Sequence, residues 1–394
     1  MLPERRKLLA LMASALAAPH LLAADEKPPV KIAVSAEYGM QGSFAAQSIE
    51  KGVALAVAEI NQRGGVLGGR RLEVVRRDDR GLPARAIDNM RELARDPDVV
   101  AVFCGRFSPV ALELLPVSSE TQMLLLDPWA AADGIANNGQ KPNYVFRLSL
   151  IDTWAIEAML DHARKRRMTK LTALLPNTGW GRSSQAAIER YLKNHRDLRV
   201  EATWYNWGDT QFADQMLVAR RERSDGILLI ANEAEAKHIL RVVDGMEPAE
   251  RLPIIAHWGM TAGDFNRVTE GRASRMDFVT VQTFAFSAQP NARQAAVLQS
   301  AERHLGEDVR KIPALVGFAH AYDLTHLLAL AIGKAKGTDR KLVRAALEQP
   351  VAYDGLVRSY RNPFTATNHE ALSRDQVFIA RYAVDGSLVP VSGH

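Results

Sequence analysis

From Val30 onward the chain alternates short runs of β-branched and leucine-rich residues with segments whose apolar residues recur at helical spacing, and this alternation limits the fold more than any single motif does. The strand-like runs are VKIAVSA (30–36), RLEVVRRDD (71–79), VVAVFCG (99–105), QMLLLD (122–127) and YVFRLS (144–149), then LTALLPN (171–177), VEATWYN (200–206), GILLIAN (226–232) and IIAHWG (254–259). Between the first two, SIEKGVALAVAEINQRGG places Ile49, Val53, Val57 and Ile60 on one helical face. That helix is expected to start at a capping Ser48 and to stop at Gly64 and Gly65. Strand and helix in regular succession predict the α/β class, with parallel, doubly wound sheets covered by helices on both faces. A second such series begins near Ile151. With 394 residues, 47% of them hydrophobic, the chain has material for two cores, and two similar lobes are expected.

The formal charge of +5 is modest, and Glu4, Arg5, Arg6 and Lys7 together contribute two of those charges. The basic runs RKRR (164–167) and RRER (220–223) lack interleaved aromatics and read as solvated helix faces, so nucleic acid is not an expected partner. The first 24 residues read as a cleavable export signal, with a basic start, an apolar stretch from Leu8 to Ala18, and small residues before Asp25. That stretch, broken at Pro19 and His20, is shorter than the roughly 20 residues a membrane span needs. Ala17 and Ala24 both end plausible cleavage sites, and the Arg-Arg-x-Leu-Leu order leaves general and twin-arginine export both open. The sole cysteine, Cys104, lies too far past the signal to carry a lipid and has no partner for an internal disulfide. At the end of an apolar strand it reads as a small buried hydrophobe. A soluble, monomeric periplasmic protein is the expectation.

Enzyme chemistry has no foothold. GGVLGG (64–69) follows a helix and precedes a strand, the reverse of a dinucleotide-binding loop, so it reads as a turn. Nucleophile-elbow, zinc-protease, CxxC and phosphate-loop motifs are absent, and the ten histidines show no ligand spacing. No catalytic residue, cofactor or metal is expected.

Ligands of open α/β sheets bind beyond the carboxyl ends of strands, where loops enter helix N-termini. The run 99–105 leads into CGRFSPVALELLPV (104–117). Ser108 reads as the N-cap and Pro109 as the first helical residue, which leaves the N–H groups of Val110 and Ala111 free at the positive end of the helix dipole, a seat for an anion. A serine so placed also serves simply as a cap. Arg106 reads equally as a solvent-facing or inter-lobe arginine and as a bidentate partner for a carboxylate.

KIAVSAEYGMQGSFAAQSIEKGVALAVAEINQRGGVLGGRRLEVVRRDD (31–79) resembles the opening strand, glycine loop, long helix, N-x-x-GG exit and acidic strand end of the leucine/isoleucine/valine-type periplasmic binding proteins, the receptors of ABC importers. CGRFSP, LLLDPWAAAD, LLPNTGWGRS, GFAHAYDLTHLLALAI and the tail YDGLVRSYRNPFTATNHEAL continue the likeness, in the family's order, over nearly all the chain after the signal. The resemblance implies two Rossmann-like lobes joined by three crossovers, with an N-terminal lobe of 30–148 plus 279–349 and a C-terminal lobe of 149–278 plus 350–394. It implies that Ser108 contacts a ligand carboxylate, and so does the loop from Asp127 to Ala131, which brings in Trp129, Ala130 and Ala131. Trp180 occupies the place of an aromatic that covers the ligand, with core packing as the alternative. Asn232 or Glu233 borders the cleft, Phe44 matches another aromatic cleft position, and Tyr38 is a further candidate.

The departure from the family lies in AHWGMTAGDF (256–265). Its amino-acid receptors carry an acid, paired with the α-ammonium, at the position aligned with Trp258, and a small residue where Trp129 stands. The two indoles either pack against a hinge or narrow the cleft and make it apolar. Glu37, Glu233 and Asp264 are the acids left to meet an ammonium. The expected function is a solute-binding protein that closes its lobes on a small carboxylated organic molecule and delivers it to an inner-membrane ABC permease. A branched-chain amino acid is the less favoured ligand, and a sensor of the same fold that reports to a signalling partner is the alternative function.

Overall fold

The first five strand-like runs form one parallel sheet, and the next runs form most of another. The computed structural model describes residues 27–391, so the export signal expected over 1–24 lies outside the described residues. In the first sheet, β1 (Val30–Ala36), β2 (Leu72–Asp78), β3 (Val99–Cys104), β4 (Leu124–Asp127) and β5 (Val145–Arg147) lie in the order β2-β1-β3-β4-β5, all parallel. In the second, β6 (Lys170–Pro176), β7 (Arg199–Tyr205), β8 (Gly226–Leu229), β9 (Ile254–Ala256) and β10 (Phe278–Gln282) repeat that winding as β7-β6-β8-β9-β10. A hairpin of β11 (Ala352–Asp354) and β12 (Ser359–Arg361) stands apart. β13 (Phe378–Tyr382) and β14 (Leu388–Pro390) then extend the second sheet beyond β10 as antiparallel strands.

Helices α1 (Ala45–Gln62), α2 (Pro83–Ala94) and α3 (Ser108–Thr121) follow β1, β2 and β3. α4 (Asp152–Lys165), α5 (Gly179–Asn194), α6 (Ala213–Arg221) and α7 (Glu233–Asp244) alternate with the strands of the second sheet. Two single turns, α8 (Phe265–Val268) and α9 (Arg272–Arg275), precede β10, and α10 (Ala292–Leu305), α11 (Leu315–Ala335) and α12 (Arg340–Leu347) return to the first lobe. Pleating sends alternate residues to opposite faces of each sheet. Ile32 and Val34 join α1 and α11 in one apolar cluster, while Ala33, Val102 and Cys104 face α2 and α3 in another. Leu171, Ala173 and Leu175 share the first cluster with α4 and α5, whereas Leu174, Ile227 and Leu229 pack on α6 and α7. α1 and α11 approach closely because Gly52 lacks a side chain; a Cβ there would lie 2.2 Å from the Phe318 carbonyl oxygen.

The chain is thus an α/β protein of two doubly wound lobes, and it passes between them after β5, after β10 and after α12. The second passage comes after Gln282 and not at 279 as expected, because β10 pairs with both β9 and β13 inside the second sheet. Other edges also move. α1 begins at Ala45, since the Phe44 N–H is held by the Ala262 carbonyl at 2.8 Å, and Ser48 does not cap it but donates its hydroxyl to the Ala314 carbonyl at 2.9 Å. The run 254–259 stays extended only to Ala256, because Trp258 opens a 3₁₀ turn that reaches Ala262. GGVLGG is a turn with positive φ at Gly64, Gly65 and Leu67, and RKRR is the exposed end of α4. Cys104 is buried, and burial pushes its thiol well up.

Candidate functional site

Loops leaving the carboxyl ends of strands in both sheets meet around a narrow, nearly closed cavity of about 10 Å³. The first lobe contributes Arg106, Phe107 and Ser108 after β3, and Trp129 and Ala131 after β4. The second contributes Trp180 after β6, Trp207 after β7, Asn232 after β8, and Trp258 and Gly259 after β9. Gly259 has to be small, because a Cβ would lie 2.4 Å from the Ala231 oxygen and 2.7 Å from the Trp180 ring. A larger groove between α4 and β13 is walled by mutually paired charges, Arg164 with Asp197 and Arg374 with Asp161, and resembles ordinary solvated surface more than an apolar seat.

Ser108 is the first residue of α3, and Phe107 holds the capping position with no side-chain cap. The serine oxygen instead accepts the N–H groups of Ala131 and Ala132, each at 3.2 Å, which ties the helix start to the β4 loop. Among the hydrogen bonds of the described residues none has Ser108 as donor, so its hydroxyl hydrogen remains available. The expected pair of free N–H groups is corrected: Ala111 donates to the Phe107 carbonyl at 3.0 Å. The β4 loop is rigid for a separate reason. Asp127 Oδ1 accepts from Trp129 and Ala130 N–H at 2.9 and 2.7 Å, and Arg147 Nη1 donates to the carbonyls of Ala130 and Ala132. Burial pushes Asp127 up to about 7 against the pull of Arg147 and those two N–H groups.

Arg106 takes the inter-lobe role. Its Nη1 and Nη2 donate to Glu233 Oε2 and Oε1 at 2.6 and 2.7 Å, Nη1 also reaches the Gly259 carbonyl at 3.3 Å, and Nε lies 3.4 Å from Glu37 Oε1. All three charged side chains are buried. Burial opposes the charge on Arg106, yet Glu233 and Glu37 together hold the guanidinium above its ordinary range; burial likewise pushes Glu37 up, against Arg106. Arg106 Nε and Glu37 Oε2 have no hydrogen-bond partner among the described residues.

Trp129 and Trp258 come from opposite lobes and pack with ring centroids 5.5 Å apart. Trp180 donates its Nε1–H to Asp152 Oδ1 at 3.0 Å. His257 Nδ1 accepts the Trp258 N–H at 3.0 Å, which places a ring hydrogen on Nε2, 3.2 Å from the same Asp152 oxygen. The Asp152 N–H in turn donates to the Ala131 carbonyl at 2.8 Å, so one residue at the first crossover braces walls from both lobes. Burial pushes its carboxyl up in spite of His257. For these three tryptophans packing and lining are not alternatives, because each is buried and each faces the cavity.

The structure gathers Ser108, Arg106, Trp129, Ala131, Trp180, Asn232 and Trp258 around one cavity. It does not bring the remaining candidates there. Phe44 is 38% exposed and serves the backbone bond to Ala262, Tyr38 lies under the Arg76 guanidinium at 4.4 Å, and Asp264 caps α8 and pairs with Arg267 at 2.8 Å. Ala130 and Glu233 stand one residue away from lining positions and support the wall from behind. Sequence reading missed Phe107, Trp207 and Gly259. Trp207 had a signal, a large aromatic in an Asn-x-Gly-Asp turn just past a parallel strand. Among the described residues no group of three or more His, Cys, Asp or Glu side chains is placed to hold a metal ion.

Known proteins share this fold. A family model described as periplasmic binding protein matches residues 29–386. A type 1 periplasmic binding protein from Bordetella pertussis Tohama I is 20% identical with a TM-score of 0.81, over 92% of this chain and 100% of its own. The branched-chain amino acid transporter substrate-binding protein LivJ of Streptococcus pneumoniae, solved with isoleucine, is 21% identical with a TM-score of 0.76, over 91% and 97% of the two chains. An ABC-transporter solute-binding protein from R. palustris, solved with 4-hydroxybenzoate, is 17% identical with a TM-score of 0.76, over 93% and 96%. At such identities the likeness is one of fold. No curated protein sequence matches the chain.

Proposed function

The chain belongs to the periplasmic binding protein family, and on that footing we propose that it is the substrate-binding component of an ABC importer, holding in its inter-lobe cavity a small carboxylated organic molecule with an apolar or aromatic body and no α-ammonium group. The observation that carries this reading is the cavity wall, which has five aromatic side chains, one serine hydroxyl, the Arg106 guanidinium, the Asn232 amide and no carboxylate. Glu233, beside the lining residue Asn232, is already engaged by both terminal nitrogens of Arg106. An ammonium among the indoles would lose its hydration without a counter-charge on the wall, at a cost of several kcal/mol. A carboxylate meets the Ser108 hydroxyl at the start of α3, where the helix dipole favours negative charge and a charge-assisted hydrogen bond contributes about 1.5 to 3 kcal/mol. Similar folds hold isoleucine in the Streptococcus pneumoniae protein and 4-hydroxybenzoate in the R. palustris protein, so the fold leaves the choice of ligand to the lining.

In this reading the protein works as a monomer in the periplasm. It releases its ligand to an inner-membrane permease by hinge opening at the three passages, which parts Arg106 from Glu233 and Phe44 from Ala262. Mass spectrometry of the small molecule retained by protein taken from the periplasm and then denatured is expected to find an acid without amine nitrogen. A retained branched-chain amino acid contradicts the reading.

A further inference from the structure

Trp207 is the second residue of a four-residue turn after β7. The Asp209 N–H donates to the Asn206 carbonyl at 3.0 Å, the Asn206 N–H donates to Asp209 Oδ2 at 2.8 Å, and Gly208 takes the positive φ of 88° that such a turn requires. The Gly208 N–H also donates to Glu235 Oε1 of α7 at 2.9 Å. The turn is therefore pinned at three points, and it projects a large aromatic from the second lobe toward the first. The indole packs against all three apolar clusters and meets the Phe107 ring at 5.1 Å. Yet its Nε1–H is buried with no acceptor among the described residues. The contrast with Trp180 is direct, since that indole donates to Asp152. A buried donor left unpaired is costly, and because Trp207 lines the cavity a molecule held there can supply the missing acceptor.

We propose that Trp207 is a specificity-determining residue that donates its indole N–H to a second oxygen acceptor on the bound acid, on the far side of the ligand from the lobe that supplies Ser108. The inference rests on the carboxylate reading of the cavity and deepens it. The ligand class becomes a carboxylic acid whose apolar body carries an uncharged acceptor oxygen, such as a ketone, an ether or a phenol. The two lobes then close on complementary ends of one molecule, because Ser108 from α3 and Trp207 from the β7 turn are both donors.

The test uses shape-matched pairs that differ in that oxygen: 4-acetylbenzoate against 4-isopropylbenzoate, and 4-oxopentanoate against 4-methylpentanoate. Calorimetry on the mature wild-type protein is expected to give at least roughly fivefold tighter binding for the ketone in at least one pair. Trp207→Phe, which keeps a smaller aromatic ring and removes the donor, is expected to reduce that ratio below about twofold by weakening the ketone more than its hydrocarbon partner. Should the variant fold poorly, the wild type labelled with 15N at its indole nitrogens supplies a second readout, in which the ketone shifts one indole N–H downfield and the hydrocarbon does not. Acids that bind without a ketone preference, or a preference that survives Trp207→Phe, overturn the role of Trp207 and leave the carboxylate reading standing. Failure of all four acids to bind overturns both.

Discussion

Asp323 and Glu37 are both buried carboxylates, and the protein provides for them in opposite ways. Asp323, on α11, accepts the N–H groups of Leu356 and Val357 at 2.6 and 2.8 Å and the Tyr360 hydroxyl at 2.8 Å, all from the third passage. Both of its oxygens are occupied, and Gly355 packs so near that a Cβ would lie 2.5 Å from the carboxylate. Among the described residues Glu37 accepts one side-chain hydrogen bond, from the Ser43 hydroxyl at 3.3 Å, shares the Arg106 guanidinium with Glu233, and has no donor on Oε2. Position accounts for the difference. Asp323 fastens a hairpin to its own lobe, whereas Arg106 and Glu233 meet across the inter-lobe cleft, which in the proposed function opens. A saturated buried site holds one arrangement firmly, while an incomplete one at a cleft gives up little when water replaces the partner.

The largest expected effect falls on the saturated site. Asp323→Ala leaves the buried Leu356 N–H, the part-buried Val357 N–H and a buried phenol unpaired, and at roughly 1 to 3 kcal/mol each, taken toward the low end because Val357 is part-buried, the loss of unfolding free energy in urea is expected to be about 3 to 5 kcal/mol. A loss below about 1 kcal/mol would mean that apolar packing alone holds the hairpin.

His320 links the two regions. It bonds the Pro128 carbonyl of the cavity loop through Nδ1 at 2.8 Å and Thr283 of the second passage through Nε2 at 2.9 Å, and burial pushes its pKa down to about 4. The unfolded chain takes up the proton first, near 6.5, so the contribution is complete above that pH and is lost as pH falls toward 4. Between pH 7 and 4.5 this group is expected to remove about 2 to 3 kcal/mol. His320→Gln should flatten that part of the pH–stability curve, and an unchanged slope would place its origin elsewhere.

Arg106→Ala is expected to have the smallest effect on stability. In a rigid interior, stranding two carboxylates would cost about 3 to 5 kcal/mol; here the lobes part, Glu37 and Glu233 regain water, and the cost falls to about 1 kcal/mol. Small-angle scattering of the variant without ligand should show a more open molecule. A loss as large as that of Asp323→Ala, with unchanged scattering, would make the two lobes one rigid body.

The contrast also marks what could be read from the chain alone. Strand and helix periodicity is local, and it placed the first nine strands to within a few residues and predicted the doubly wound lobes, but it did not mark β10. Ser48 and Ser108 were misread for one physical reason: each hydroxyl was assigned to its own helix, but its partners lie far away, at Ala314 and at Ala131 and Ala132. The choice between inter-lobe and ligand roles for Arg106 likewise depended on Glu233, a residue of the other lobe. Trp207 carried a local turn signal, but only the assembled cleft reveals that its ring reaches Phe107.

Leucine and 4-methylpentanoate share one carbon skeleton and one carboxylate and differ only in the α-ammonium. Calorimetric titration of the mature protein with both, and with benzoate beside them, asks whether a wall of indoles without a carboxylate rejects that group. The account predicts binding of 4-methylpentanoate or benzoate at least about tenfold tighter than leucine, the equivalent of 1.4 kcal/mol. Submicromolar binding of leucine, with no heat from either acid, would contradict it.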